Sequence, residues 1–316
     1  FGWELHISFV QDENDAAMTS LMLDYVRIRV KDGYYQVDGT PEYSLPISYY
    51  VAISDDPSFP YENENSGWIL DENWTPPPLL DGVWYWRVRA RDNAGNVGDW
   101  STGWFRVDTV PPEIPIRIYP QHETWVPGTF TFRWYSVEEN SLPVRYTVSV
   151  VDGAGNPAGS TTTTDNYWTV SMGGGTRRWR ISATDDAGNS SGASSEWTFW
   201  VDTIAPSTPS LLSPENNTLT NIPDNILFRW TEAYDNEITG VEQSGVARYH
   251  LQIATDPSFG APHIYYENDN IPENSFTYIP TIPDGTYYWR VRAIDAVGNA
   301  GGWSESWILR IDTLPP

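Results

Sequence analysis

Cysteine is absent from the 316 residues. Its absence removes disulfides, thiolate nucleophiles and zinc–thiolate sites together, without fixing the compartment. Basic side chains are scarce: 18 Lys and Arg stand against 42 Asp and Glu, a formal charge of −24. Such a charge repels phosphate backbones and anionic lipid surfaces and argues against nucleic acid as a partner. No apolar run approaches the ~20 residues that span a bilayer, and no Lys/Arg-led apolar stretch opens the chain as a secretion signal. The sequence begins at Phe1 and not at Met, so a leader is expected to have been cleaved or omitted. No window sustains helical periodicity with caps.

Signatures of chemistry are missing too. There is no Gly-x-Ser-x-Gly, phosphate loop, dinucleotide fingerprint or His-Glu-x-x-His. Gly173, Gly174 and Gly175 precede a strand and read as a turn. The four histidines, His6, His122, His250 and His263, stand in different repeats or on different strands with no motif around them. Paired carboxylates such as Asp55 with Asp56, or Asp185 with Asp186, occur in turn-like strings, where Asp bonds its own backbone. We therefore expect no catalytic and no cofactor-binding residue, and no enzyme.

What is present is aromatic mass and a repeat. Hydrophobic residues make up 40% and aromatics 15%, with 17 Trp and 19 Tyr, enough to bury a core and to exclude disorder. The length suits two or three domains. The string Trp86-Arg87-Val88-Arg89-Ala90 recurs as Trp179-Arg180-Ile181-Ser182-Ala183 and as Trp289-Arg290-Val291-Arg292-Ala293. Each copy is followed by a Gly-Asn pair (Gly95-Asn96, Gly188-Asn189, Gly298-Asn299) and then by another tryptophan: Trp104, Trp197, Trp307. Each unit closes on Asp-Thr and proline: Asp108-Thr109 with Pro111 and Pro112, Asp202-Thr203 with Pro206, Asp312-Thr313 with Pro315 and Pro316. Proline holds itself and its predecessor extended, so these are stiffened linkers.

The repeats read as strands. Trp289, Val291 and Ala293 fall on one face while Arg290 and Arg292 fall on the other, the period of a half-buried antiparallel strand. Asp284-Gly285, and Asp81-Gly82 in the first unit, supply a tight turn before that strand, and Asp-x-x-Gly-Asn a hairpin after it. Phe132-Arg133-Trp134 and Phe228-Arg229-Trp230 supply an early core strand. Tyr49 to Ser54 matches Tyr249 to Ala254, both leading into Asp-Pro-Ser-Phe (Asp56 to Phe59, Asp256 to Phe259). Short strands at intervals of about ten residues predict an all-β chain of three tandem antiparallel sandwiches, over 1–110, 111–204 and 205–316. The first differs at its start, with strand-like runs Leu5 to Val10 and Leu23 to Val30 in place of an opening strand comparable to Pro115 to Pro120 or Pro209 to Pro214.

The string at 284–293, the Gly-Asn hairpin and the Asp-Thr-x-Pro-Pro linker resemble the fibronectin type III-like and immunoglobulin-like tandem modules of prokaryotic cell-surface and extracellular proteins. The resemblance covers the second and third units nearly whole and the first from about Ile47. It implies a sandwich fold, an extracellular or cell-surface location, and an aromatic corner two positions before the core residue of the penultimate strand. Tyr287 holds that place and Trp84 its equivalent, while the second unit has Arg177 there. Such modules serve as spacers, adhesive domains and polymer subunits alike.

Candidate residues follow. Trp86, Trp134, Trp179, Trp230 and Trp289 sit on the inward strand phase and are expected in the core. Trp68, Trp74, Trp100, Trp125 and Trp303 lie outside it and are candidates for exposed aromatic contacts, to sugars, to other modules or to other copies. Arg87, Arg89, Arg290 and Arg292 form an outward ladder for which pairing and stacking are the default. No metal motif occurs, but the linker aspartates Asp108, Asp202 and Asp312 are weak calcium candidates beside the hairpin aspartates Asp92, Asp185 and Asp295. Asn73, Asn189 and Asn216 head sequons in expected loops and are glycosylation candidates.

The functional expectation is a non-catalytic extracellular structural protein, a rod-like array of modules each about 30 Å long serving as a surface filament, stalk or surface-layer component. Its expected partners are itself or adjoining modules end to end, with surface glycans or other cell-surface proteins as further candidates. Two accounts of its ends stay open: an excerpt of a longer array, or copies that complete each other's sheet by strand addition. The alternatives are accessory modules of a secreted hydrolase that grasp polysaccharide or protein, and a calcium-dependent adhesin.

Overall fold

The computed structural model describes residues 2–7, 26–31, 47–71, 73–139, 142–235 and 243–315, the first two segments as backbone only. No helix occurs among them; the ordered elements are strands, nearly all antiparallel. The all-β expectation is borne out. None of the described helix-free segments is of a kind that crosses a membrane as a helix.

Eight strands lie between Arg117 and Asp202, and eight between Leu211 and Ile311. Numbered from one within each set, both sets form a three-stranded sheet of order 1-3-6 and a five-stranded sheet of order 2-8-7-4-5. In the later set these are Leu211–Ser213, Ile226–Trp230, Ser275–Tyr278 and Thr218–Thr220, Trp307–Ile311, Gly285–Asp295, Val246–Ala254, Ile264–Ile271. Consecutive strands that alternate between two sheets are the Greek-key connectivity of the fibronectin III and immunoglobulin sandwich, and this chain has that fold. Before Arg117 the described residues supply one four-stranded sheet, Glu64–Ile69, Ser48–Ser54, Gly82–Arg91, Ser101–Val107, which matches strands 5-4-7-8 of the later sets.

The chain's start forms a separate two-stranded pair, Gly2–Ile7 against Val26–Lys31, in the register Trp3 to Val30 and Leu5 to Ile28. The first strand therefore begins at Gly2 and not at the expected Leu5, and the second overlaps the expected run from Leu23 to Val30. The remainder of those two runs within 8–25 lies outside the described residues.

By backbone contact the chain forms two compact units: Phe1–Pro115 with Ser136–Thr147 and Ser182–Ala193, and Ile116–Tyr135 with Val148–Ile181 and Ser194–Pro316. The division passes through the strands Arg145–Asp152 and Gly175–Thr184, so it follows a different line from the sequence repeat. It assigns the Asp185 to Asn189 hairpin to the unit that holds the preceding linker.

Indoles organise the cores. Trp134, Trp179, Trp230 and Trp289 are fully buried and Trp86 is 7% exposed. Phe132 packs on Trp179 at 4.8 Å, and Phe228 meets Trp289 edge-on at 5.0 Å. Burying a large aromatic side chain is worth a few kcal/mol. In each case the contact joins an early strand of the three-stranded sheet to the penultimate strand of the five-stranded one, which sets the spacing of the two layers.

Equal spacing does not give equal burial. Trp104, Trp197 and Trp307 stand eighteen residues after their core tryptophans, yet Trp197 and Trp307 pack edge-on against Trp179 and Trp289 while Trp104 is 66% exposed. In the third repeat the Ser304 N–H bonds the Val291 carbonyl and Trp307 faces Trp289, so three steps oppose two. In the first repeat Ser101 faces Val88 and Gly103 faces Trp86, two steps against two. The missing bulge shifts the register by one residue, and a one-residue shift turns every side chain to the other face. Gly103 takes the inward place, where a Cβ would meet the Trp86 ring at 2.5 Å.

The corner is present in all three repeats with three different donors. The Tyr287 hydroxyl donates to the Pro283 carbonyl at 3.0 Å, Trp84 Nε1 to Leu80 at 2.8 Å, and Arg177 to Gly173 at 2.9 Å. Each reaches four residues back, so what the turn requires is a long donor at that place and not an aromatic ring.

Two measurements check this register. Trp104→Ala should change stability by less than about 0.5 kcal/mol and Trp307→Ala should cost about 2 kcal/mol, read as shifts of the calorimetric transition. Gly103→Val should cost about 1–3 kcal/mol by overpacking against Trp86.

Candidate functional site

Two features recur along the chain and carry most of its polar chemistry: an outward ladder of arginine and aromatic rings, and a set of aspartate-centred turns at the ends of the sheets. Among the described residues no histidine lies in a hydrolytic constellation. His122 Nδ1 accepts from the Thr198 N–H at 3.0 Å, His263 uses its backbone in a turn, and His250 belongs to the ladder.

In the first repeat the Arg87 guanidinium lies 4.4 Å from the Phe59 ring and 4.3 Å from Trp100, and pairs with Glu62 at 2.7 Å. Arg89 lies 4.3 Å from Trp100, and Arg91 4.1 Å from Trp68. The third repeat repeats the pattern, with Arg290 between Phe259 and Trp303 at 4.1 and 4.2 Å and Arg292 over Trp303 at 4.5 Å. Each contact is worth about 0.5–1 kcal/mol where solvent reaches it. Phe59 and Phe259 take left-handed backbone angles, φ 51° and 52°, a strained state for a phenylalanine that the covering arginine helps to hold.

This corrects the reading of the second group of tryptophans. Trp68, Trp100 and Trp303 are half-buried slices between guanidinium planes, Trp125 packs on Trp200 at 5.5 Å, and Trp74 lies against the first core. Each of the five rings has a packed partner. Among the described residues Trp104 is the tryptophan that stands exposed, and only the register of its strand reveals it.

The third ladder contains a buried histidine. His250 Nε2 donates to Glu267 Oε1 at 2.6 Å, and its Nδ1 accepts from Arg292 at 3.3 Å, a pair of bonds that selects the neutral Nε2-H tautomer. Burial, aided by the facing Arg292, holds His250 below its usual 6.5, against the pull of Glu267. Hydrogen bonds from Gln252 and His250 hold Glu267 below its usual 4.5.

The turns follow one rule. Asp92, Asp185 and Asp295 each accept the backbone N–H of the Asn four residues on at 2.8 Å, and that Asn returns its amide to the second carboxylate oxygen. Asp108, Asp202 and Asp312 each accept the N–H two residues on, which fixes the linker's first bend. Asp81 and Asp284, expected as turn formers, also bind the N–H and hydroxyl of linker Thr109 and Thr313. Sequence reading missed this second role; the pairing of Asp-Gly with Asp-Thr in the first and third repeats, and the loss of the Asp in the second, was the available signal.

The hairpin asparagines reach further. Asn189 Nδ2 donates to the Asp108 carbonyl at 2.9 Å, and Asn299 Nδ2 to the Asp202 and Ile204 carbonyls at 3.4 Å. Asn189 is 5% exposed with its amide committed, so a glycan there would break the hairpin and the candidate is withdrawn. Asn216 is exposed, with only its Oδ1 engaged by the Ile308 N–H, and Asn73 bonds Asp71 across an open turn.

Of the three linker candidates for metal, the structure leaves Asp312 exposed and Asp108 half-buried, and brings Asp202 together with Asp235 and Asp295. One carboxylate oxygen from each of these three lies within 4.8 Å of the others. Asp202 and Asp295 are fully buried. Burial first, then the Asp202 charge, pushes Asp295 up; burial and both neighbouring charges push Asp235 up.

Because His250 and Glu267 titrate lower in the fold than in the unfolded chain, their contributions are complete above about 6.5 and 4.5 and are lost as pH falls through the folded values. His250→Gln should therefore flatten the loss of Tm as pH falls below about 6.5, measured by scanning calorimetry.

No family model matches the sequence, and no curated protein matches it. Solved structures do. The crystal structure of chicken CNTN1 FN1-FN3 domains aligns at TM-score 0.45 and 15% identity over 90% of this chain and 93% of that one. Clostridium thermocellum CbhA fibronectin(III)-like modules align at TM-score 0.41 and 15% identity over 63% and 94%. By the connectivity of its own sheets the chain is fibronectin III-like, a fold typical of structural and binding modules and not of catalysts.

Proposed function

We propose that the chain is a non-catalytic, extracellular structural array of three sandwich modules that continues end to end as a filament, stalk or surface-layer component. The observation that carries this reading is the hairpin asparagine: Asn189 and Asn299 each bind carbonyls of the linker that precedes their own repeat. The first linker is held from both sides, by Asp81 on the N–H and hydroxyl of Thr109 and by Asn189 on the Asp108 carbonyl. A linker held in this way acts as a spacer of set length and not as a flexible tether.

A charge of −24 keeps such arrays dispersed along their sides. Contacts between copies would then concentrate at the ends. The carbohydrate-binding alternative is weakened because all five of its candidate tryptophans are stacked on arginine or on another tryptophan, or packed on the core.

Small-angle scattering and negative-stain microscopy test the proposal. Extended particles, with end-to-end contacts at high concentration, are expected; a compact globule would refute it. Asn299→Ala removes a half-buried donor and should cost about 1 kcal/mol while broadening the distance distribution, with the sheet signal in circular dichroism retained.

A further inference from the structure

We propose that Asp202, Asp235 and Asp295 form a binding site for a hard divalent cation, calcium in particular, at the point where the linker after the second repeat meets the third. The inference is independent of the filament reading. Three carboxylates with converging oxygens, two of them fully buried, place like charges where solvent cannot screen them. Among the described residues no Lys or Arg pairs with any of them. Burying charge without a counter-charge is costly, and a cation supplies the missing partner.

Acidic turns alone would not carry this. The hydrogen-bond inventory does. Asp295 Oδ1 accepts from the N–H groups of Val297, Gly298 and Asn299, and Oδ2 from the Asn299 amide. Asp202 accepts from the Ile204 and Ser244 N–H groups, and Asp235 Oδ2 from Gly245 at 2.7 Å. These donors fix each carboxylate along one edge. Against that background Asp235 Oδ1 is sealed from solvent with no partner at all, and so is the hydroxyl oxygen of Ser244, whose own N–H binds Asp202. An orphaned, solvent-free carboxylate oxygen on Asp235, one of three carboxylates that converge within 4.8 Å, is what a metal ion would satisfy.

The donor set selects the ion. Every atom is oxygen, no cysteine exists in the chain, and no histidine belongs to the cluster, so zinc and copper lack their ligands. Carboxylates on two different loops and a linker form an irregular shell, which calcium accepts with six to eight ligands and magnesium does not.

The second repeat shows what the site requires. The Tyr146 and Tyr249 hydroxyl oxygens accept from the Val137 and Ala233 N–H groups in equivalent turns, and two residues on stand Glu139 and Asp235. Asp108, Glu139 and Asp185 are thus the counterparts of the three aspartates, yet among the described residues only the later trio converges.

Scanning calorimetry of the full chain in EDTA, in calcium and in magnesium decides the matter. Calcium at about a hundredfold excess over its dissociation constant should raise Tm by several degrees, and magnesium should raise it far less. Asp235→Asn keeps the side-chain volume and should abolish the calcium shift while remaining at least as stable in EDTA, since one like charge is gone. Asp312→Asn, on the exposed linker, should retain the shift. No calcium shift in the wild-type chain, an equal shift with magnesium, or a shift that survives Asp235→Asn would each overturn the assignment. Should Asp235→Asn fail to fold, calorimetric titration of the wild-type chain with calcium alone gives the same decision: one saturable site supports it and none refutes it.

Discussion

Everything in this chain rests on an indole held between two sheets. Trp179 and Trp289 come from the penultimate strands and meet Phe132 and Phe228 from the facing sheets, with no solvent exposure. That contact decides which face of each strand points inward. The outward face is then free for arginine, and the ends of the strands are free for aspartate. The first repeat obeys the same constraint with less material: Trp86 is backed by Gly103 because its closing strand lacks the bulge that admits a second indole in the others.

The polar chemistry divides by position on this frame. On the sheet face, guanidinium and aromatic planes alternate, and a neutral histidine with a low-titrating glutamate is built into the third ladder. At the sheet ends, aspartates organise backbone N–H groups. The hairpin asparagine links the two levels, because the same side chain that closes its own turn also takes carbonyls from the linker before it. A linker handled in this way belongs to the fold of the next repeat as much as to its own, and the contact division of the chain reflects that for Ser182–Ala193.

Much of the fold was legible in the residues themselves. Period-two alternation in Trp289 to Ala293 placed the strand and its inward face, and the recurrence of Gly-Asn placed the hairpin. The corner was legible only in part: its place was visible, but a search for aromatics could not see that Arg177 makes the same four-residue hydrogen bond as Tyr287. Trp68, Trp100 and Trp303 are candidates for exposed contacts by sequence because spacing does not show that arginines two residues apart on a neighbouring strand stack against them. Asn189 was read as a sequon because its use as a buried donor depends on a carbonyl 81 residues away.

The amino-acid sequence by itself determined the repeat, the strand pattern, the turn types and the excess of acid, since these depend on neighbours within a few residues. Tertiary structure alone decided which of three equally spaced tryptophans faces solvent, because register is set by a bulge and not by spacing. It alone decided which aspartates converge as well. Asp202, Asp235 and Asp295 are separated by tens of residues in the chain, and carboxylates repel one another, so only packing of the sheets and the backbone donors around them brings their oxygens within 4.8 Å.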